Sequence, residues 1–170
     1  TKAKSVGLFD PMHGERGLAA FRTDETGASE VYLQLAPGAS CIVKTFDTAV
    51  QGSPYVYWKD QGDPHEIQNP WSVRFVAGGP ELPLQREIDT LSSWTAFDGD
   101  GVKVFAGTAT YMVSFKKPKG KADGFILDLG RVHESAHITF NGEGLGTLIQ
   151  SPFQITIPKS RMKMNNTLEI

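Results

Sequence analysis

Several features that mark common protein classes are scarce in this chain of 170 residues. It has one cysteine, Cys41, which excludes an internal disulfide framework, and its place in the apolar run SCIVKTF is typical of a small buried hydrophobe. No apolar run approaches the roughly 20 residues of a membrane-spanning helix. The 17 basic and 19 acidic side chains are mixed along the chain and leave a net charge of -2. This balance argues against nucleic acid or an anionic membrane as a partner.

Helical periodicity is also scarce, since no long stretch repeats its apolar residues every three to four positions. The 18 glycines and 10 prolines instead separate short runs in which apolar and polar residues alternate. Alternation of this kind indicates strands, and the composition of the turns between them favours an all-β protein. The predicted strands are SVGLF, GLAAFR, EVYLQL, CIVKTF, WSVRFV, ATYMVSF, FILDL, AHITF, GTLIQ and FQITIP.

The distribution of these runs predicts three segments. Residues 48–70 have no period and are rich in turn formers, so we interpret them as a connector. Residues 1–47 provide strands without an obvious closing partner, which fits the C-terminal strands of an adjoining β-domain. Residues 71–170 are expected to form a β-sandwich. Because NNTLEI begins an alternating run at Leu168 and then stops, we expect the sandwich to be truncated at its C-terminus.

The stretch HESAH fits the H-E-x-x-H pattern of zinc peptidases, with His133 and His137 as ligands and Glu134 as the general base. Both imidazoles can reach one ion only if the stretch is a helix, because a strand separates them by roughly 13 Å. Gly130 precedes the motif, and Asn141-Gly142, a hairpin signal, follows it. Alternation leading into that turn predicts a strand entrance. A zinc-dependent hydrolase is therefore an alternative that requires a helix here.

The order of several longer segments resembles known glycoside hydrolases. The segments GTATYMVSF, LDLGRVHESAHITFNGEGLGTL, SPFQITIP and NNTLEI resemble the jelly-roll, galactose-binding-like sandwich that accompanies hydrolases of the β-galactosidase and α-L-rhamnosidase type. Upstream, LFDPMHGERGLAAFR, EVYLQLAPGASCIVKTF, WSVRFVAGGPELP and LSSWT resemble the C-terminal part of family 106 glycoside hydrolases, the α-L-rhamnosidases. The resemblance covers nearly the whole chain, and residues 48–69 match loosely.

This resemblance implies a parent enzyme that hydrolyses terminal α-L-rhamnosides of polysaccharides. Its catalytic carboxylates and a calcium ion would lie in an upstream barrel, so no catalytic residue is expected in this chain. The chain would be an accessory region that supports the catalytic domain of the same parent, in the periplasm or outside the cell. No cofactor is required here. The two carboxylates of FDGDG permit a calcium ion but supply few of the six to eight oxygens it takes.

Carbohydrate binding by the connector is weighed against a packing role for its aromatic rings. Sugar recognition uses aromatic faces that stack on C–H surfaces together with planar polar groups. The predicted binding residues are Tyr57, Trp58 and Trp71, which lie in or beside the irregular connector. If their rings are exposed, the chain could act as an autonomous carbohydrate-binding module. If they are buried, they pack the connector or dock on the barrel, and Trp94 is expected to have such a packing role.

Core positions follow from the alternation within the predicted sandwich. Large apolar residues occupy every second position of several strands and should share one interior. The predicted core residues are Tyr111, Val113, Phe115, Phe125, Leu127, Leu129, Phe140, Phe153, Ile155 and Ile157.

Overall fold

The computed structural model describes residues 3–61 and 63–170. The chain forms two compact units, residues 1–62 and residues 63–170, which we describe separately. The first two residues of the predicted segment 1–47, and residue 62 of the predicted connector, lie outside the described residues. Within the described residues, no helix combines the length and the apolar character needed to cross a membrane.

The first unit is built from short antiparallel strands. Its described residues form β1 (Ser5–Phe9), β2 (Arg16–Leu18), β3 (Phe21–Thr23), β4 (Ser29–Val31) and β5 (Ile42–Phe46). Three of them make a sheet in the order β2-β1-β5, and β3 pairs with β4 in a separate hairpin. Val6 and Leu8 of the central strand β1 are buried.

The outer edge of β2 is covered by residues 53–55. The N–H of Leu18 donates to the Ser53 carbonyl at 2.8 Å, and the N–H of Tyr55 donates to the Leu18 carbonyl at 2.8 Å. The backbones approach so closely that a Cβ on Gly17 would lie 2.5 Å from the Tyr55 backbone. Glycine is therefore required at this position for the edge to close.

The turn after β1 is organised by the Asp10 carboxylate. Its oxygens accept hydrogen bonds from the N–H groups of Met12 at 2.8 Å and His13 at 3.1 Å, and they contact the His13 imidazole at 2.8 Å. Burial by itself raises the pKa of Asp10, but the hydrogen bonds from His13 and Met12 outweigh it, so the net pKa is lowered. His13 is thus part of a turn, as the sequence PMHGERG predicts.

The second unit contains the longer strands. Its described residues form β6 (Trp71–Gly79), β7 (Arg86–Ile88), a 3-10 turn (Trp94–Ala96), α1 (Asp100–Lys103), β8 (Ala106–Lys116), β9 (Gly124–Asp128), β10 (Ala136–Phe140), β11 (Glu143–Leu148), β12 (Gln154–Pro158), a second 3-10 turn (Lys159–Arg161) and β13 (Asn165–Glu169). Six strands form an antiparallel sheet in the order β11-β10-β13-β8-β6-β7, and β9 pairs with β12. The predicted all-β fold is confirmed.

The main core of the second unit lies between these two sheets. Side chains of β9 and β12 pack against buried residues of the six-stranded sheet, so the pair forms the second layer of a sandwich. The buried members of this cluster are Trp71, Val113, Ala136, Ile138, Phe140, Leu148, Ile157 and Leu168. The other residues predicted for the core, Tyr111, Phe115, Phe125, Leu127, Leu129, Phe153 and Ile155, are partly buried against it.

A second apolar cluster surrounds the 3-10 turn and α1. Trp94 packs edge-on against Phe75 and Phe105, with ring centroids 6.2 Å and 6.0 Å apart. Val73 and Val102 are buried in the same cluster. The expected packing role of Trp94 is therefore confirmed.

The predicted hairpin turn joins β10 to β11. Asn141 and Gly142 both have positive φ, 53° and 84°, as a two-residue turn of the primed type requires. The Asn141 amide also donates to the buried Asn166 side chain at 3.1 Å, and its own oxygen accepts from the Thr167 N–H at 3.0 Å. Asn166 in turn bonds both the N–H and the carbonyl of Lys163 at 2.8 Å. This network ties the hairpin to β13.

Some predicted boundaries differ from the structure. The run GLAAFR divides into β2 and β3, and the run EVYLQL is a strand only as far as Val31. The short elements β7 and α1 were not predicted. The final strand begins at Asn165, three residues before the predicted Leu168. Most other predicted strands coincide with observed ones, and in β6 and β10 the alternation matches burial on one face.

Candidate functional site

The three predicted carbohydrate-binding residues are divided between the two units. Tyr57 and Trp58 belong to the first unit and follow the segment that covers β2. Trp71 begins β6 in the second unit, where it is 3% exposed and packs in the sandwich core. Its ring therefore presents no face for stacking, and the candidate site is confined to the surroundings of Tyr57 and Trp58.

Tyr57 is the centre of a tyrosine cluster that also contains Tyr32 and Tyr55. Its ring centroid lies 5.1 Å from that of Tyr32 and 5.3 Å from that of Tyr55, with tilted and edge-on geometry. The Tyr57 hydroxyl accepts from the Ala20 N–H at 2.9 Å and donates to the Tyr32 carbonyl at 3.2 Å. Both hydrogen-bonding functions of Tyr57 are thus engaged by the backbone near β3 and β4. Tyr57 thus holds Tyr32 in position through the ring contact and the hydrogen bond to the Tyr32 carbonyl.

Trp58 is held in place by the side chain of Gln34. The Trp58 N–H donates to Gln34 Oε1 at 2.7 Å, and Gln34 Nε2 donates to the Trp58 carbonyl at 2.5 Å. Gln34 Nε2 also lies 3.3 Å from the Tyr32 hydroxyl. One amide therefore fixes the backbone of Trp58 and contacts the tyrosine cluster.

The tyrosine cluster combines one accessible ring with two supporting rings. Tyr32 is 54% exposed, while Tyr55 and Tyr57 are half-buried. Burial, followed by the nearby charges of Asp10 and Glu15, raises the pKa of Tyr55. The exposed ring of Tyr32 is the kind of aromatic surface on which the C–H face of a sugar stacks.

Sequence reasoning missed two members of this site, Tyr32 and Gln34. Both lie in the run EVYLQL, which was predicted to be a strand. The signal that could have found them is the density of aromatic and amide side chains in a run that is too exposed to be core. Their partners are 24 and 25 residues away along the chain, which no local pattern reveals.

The HESAH stretch does not form the helix that the zinc alternative requires. His133 precedes β10 in irregular backbone, and His137 lies within β10. The His137 ring shares a 2.9 Å hydrogen bond with the hydroxyl of Thr147 on the neighbouring strand β11. In the part of the chain that the structure describes, no three His, Cys, Asp or Glu side chains are grouped to hold a metal ion.

The second unit has a polar recess on the side of β10 and β13. Its volume is about 420 Å³. It contains no aromatic ring, unlike the tyrosine cluster, so it offers hydrogen-bonding groups without a stacking surface. The lining residues are Thr139, Asn141, Gly142, Lys163, Asn165, Thr167 and Glu169.

Comparison with known proteins supports the resemblance found in the sequence. No protein-family model matches the chain. A solved rhamnosidase from Novosphingobium sp. PP1Y aligns with 99% of this chain at a TM-score of 0.77 and 29% sequence identity. A protein of Formosa agariphila named "Putative beta-glucuronidase" is 32% identical over 115 residues, which are 66% of this chain. The chain is related to glycoside hydrolases.

The glycoside hydrolase-related chain corresponds to a small part of each relative. It spans 16% of the rhamnosidase and 10% of the Formosa agariphila protein.

Two carboxyl groups of this hydrolase-related chain, those of Asp10 and Asp24, have shifted pKa values. Glycosidases use a pair of carboxyl groups, and the general acid has a raised pKa so that it stays protonated. The pKa of Asp10 is lowered, as described above. The pKa of Asp24 is lowered as well, mainly by the hydrogen bond from the Thr26 hydroxyl. Both shifts are opposite to what a general acid needs.

Proposed function

We propose that this chain is the accessory, non-catalytic β-sandwich region of a larger glycoside hydrolase that acts on α-L-rhamnosides of polysaccharides. Its role is to support the catalytic domain of the same parent chain. The observation that carries this proposal is the agreement with a rhamnosidase over 99% of the chain at 29% identity, although the chain spans only 16% of that enzyme.

Asp10 and Asp24 are poor candidates for the general acid of a glycosidase. The lowered pKa values of Asp10 and Asp24 keep these carboxyl groups ionised at neutral pH, so neither can deliver a proton to a glycosidic oxygen. Each carboxylate is instead engaged in organising a turn, through Met12 and His13 in one case and Thr26 and Ala28 in the other.

The test is hydrolysis of an aryl α-L-rhamnoside by two separate polypeptides. One is this chain, and the other is the remainder of the proposed parent hydrolase. The expected result is turnover by the remainder and no turnover by this chain at any concentration. Turnover by this chain that scales with its concentration and persists through repurification would overturn the non-catalytic assignment.

Carbohydrate binding is a second proposed activity, favoured by the exposure of Tyr32. A sugar ring would stack on Tyr32, whose position is set by Tyr57, while the main chain of Trp58 is held by Gln34. Trp71 takes no part in this proposal because it is buried. With such a site, the chain would act as a carbohydrate-binding module and raise the local concentration of substrate.

Calorimetric titration of the chain with rhamnose-containing oligosaccharides tests this second activity. We expect saturable heat that Tyr32→Ala abolishes, with and without added calcium. Leu84→Ala is a matched control because Leu84 is an exposed apolar residue of the second unit. Equal heats for Tyr32→Ala and the unmodified chain would reject the site.

The cellular setting follows from the proposed substrate. A hydrolase of polysaccharides meets its substrate outside the cytoplasm, so we place the parent enzyme in the periplasm or outside the cell. The chain itself needs no cofactor for the proposed role, and a calcium requirement would appear as a difference between the two titrations above.

A further inference from the structure

The three-stranded sheet of the first unit has one closed edge and one open edge. Residues 53–55 close the β2 edge with two backbone hydrogen bonds of 2.8 Å. The opposite edge is β5, which pairs with β1 alone, and no other strand among the described residues lies along it. The β2 edge is therefore covered by backbone hydrogen bonds, while the β5 edge has no neighbouring strand among the described residues.

The register identifies the backbone groups that face the open edge. The Ala19 N–H donates to the Val6 carbonyl, so Val6 bonds toward β2, and the next residue, Gly7, bonds toward β5. Gly7 is paired with Lys44. Along an edge strand, the backbone N–H and C=O groups of successive residues point alternately toward the neighbouring strand and away from it. Because those of Lys44 point toward β1, those of Val43 and Thr45 point to the open edge, where another strand can pair with them.

The side chains of β5 do not block such pairing. Adjacent residues of a strand project to opposite faces, so each face of β5 carries an exposed apolar residue. Ile42 is 58% exposed on one face, and Val43 is 43% exposed on the other. Natural proteins protect exposed edges with charges or prolines, since an apolar β-branched edge invites another strand. Lys44 is the one charged residue of β5, and its ammonium lies 5.2 Å from the ring centroid of Phe46 on the same strand.

We propose that the open edge of β5 pairs with a β-strand from the remainder of the parent hydrolase, through the backbone of Val43 and Thr45. This inference rests on the proposed function. Ile42 and Val43, on opposite faces of β5, would then be covered by the layers of a larger sandwich. The occupant is another part of the parent because the chain spans only 16% of the rhamnosidase that it matches over 99% of its own length.

The experiment mixes this chain with the remainder of the proposed parent hydrolase as a separate polypeptide. Hydrogen exchange of the Val43 and Thr45 amides is measured in the free chain and in the complex. We expect rapid exchange in the free chain and at least a tenfold slowing in the complex, because both N–H groups gain acceptors. The Lys44 amide, which bonds to β1, should be slow in both states.

Two variants test the edge independently of folding. Thr45→Pro removes an outward N–H, and edge strands tolerate proline at such positions. Val43→Lys leaves the backbone intact and adds a charge to an exposed side chain. Both should weaken the complex at least tenfold while the free chain keeps its thermal midpoint. Lys44→Pro is the contrasting variant, since it removes a hydrogen bond to β1 and should unfold the sheet.

The outcomes separate this inference from the proposed function. A complex of normal affinity with Thr45→Pro, or unchanged exchange of Val43 and Thr45 in the complex, overturns the pairing at β5 and leaves the accessory role standing. Failure of the unmodified chain to bind the remainder overturns both. A dimer of this chain that Thr45→Pro dissolves, with no slowing in the mixture, assigns the edge to a second copy and also overturns the inference.

Discussion

Gln34 and Trp58, which lie 24 residues apart in the chain, are joined by two hydrogen bonds between the Gln34 amide and the Trp58 backbone, at 2.7 Å and 2.5 Å. An amide side chain has the donor and acceptor geometry of a peptide group, so Gln34 serves Trp58 as a neighbouring strand would. These two bonds hold the backbone of Trp58 in place, although Trp58 lies outside the β-strands.

Replacement of Gln34 tests this connection. In Gln34→Ala the Trp58 N–H loses its acceptor, and the loss of such a bond is worth about 1 kcal/mol. We expect the Trp58 amide to exchange roughly fivefold faster, which is the rate change that about 1 kcal/mol represents. Gln68→Ala is the matched control because the Gln68 amide donates to an exposed side chain, that of Glu66, and not to the backbone of Trp58. Equal exchange rates in the two variants would contradict the role of Gln34.

Removal of the buried Asn166 side chain should weaken the second unit strongly. Asn166 is 1% exposed and bonds the Lys163 backbone on both its N–H and carbonyl. Asn166→Ala leaves these groups without partners, so we expect a loss of about 2 to 3 kcal/mol in urea unfolding. Asn165→Ala, at the exposed neighbouring position, should change stability by less than about 0.5 kcal/mol. Similar losses for both variants would show that the network does not stabilise the hairpin.

Local chemistry explains which elements the sequence could predict. Asn141-Gly142 requires positive φ and therefore specifies its turn regardless of the surroundings. The strand β10 was predicted because Ala136, Ile138 and Phe140 alternate with polar residues and fill the core. In contrast, the three residues of β7 have no pattern of their own, and their pairing with β6 supplies the structure.

The candidate site was predicted less well than the fold because its contacts are between distant residues. Tyr57 and Trp58 were identified, but Tyr32 and Gln34 join them through contacts that periodicity does not encode. For Trp71 a local signal was available. The run WSVRFV places it in phase with Val73 and Phe75, and all three rest in apolar clusters.

Core substitutions should separate fully buried from partly buried phenylalanines. Phe140 is 1% exposed, so Phe140→Ala should cost about 3 to 5 kcal/mol in denaturant unfolding. Phe153 is only partly buried, and Phe153→Ala should cost less. Ile126→Ala is the control, since Ile126 is an exposed residue of β9 and should cost below about 1 kcal/mol. A loss below about 1 kcal/mol for Phe140→Ala would reject the assigned register.

The turn between β3 and β4 gives a prediction about pH. Because the Thr26 hydroxyl is the largest cause of the lowered pKa of Asp24, Thr26→Val should raise that pKa toward 3.8. A folded pKa below the unfolded value stabilises the turn above the unfolded pKa, and this stabilisation is lost as pH falls through the folded pKa. Carboxyl titration by NMR measures the change, and Asp10 serves as the internal control. An unchanged pKa of Asp24 would show that the hydroxyl is not the cause.

The accessory role is tested most directly by the thermal inactivation of the remainder of the proposed parent hydrolase, with and without a saturating amount of this chain. The account predicts that the chain binds the remainder and lengthens the half-life of its α-L-rhamnosidase activity, because a bound partner stabilises the folded state. An unchanged half-life, together with no complex by sedimentation, would contradict the account.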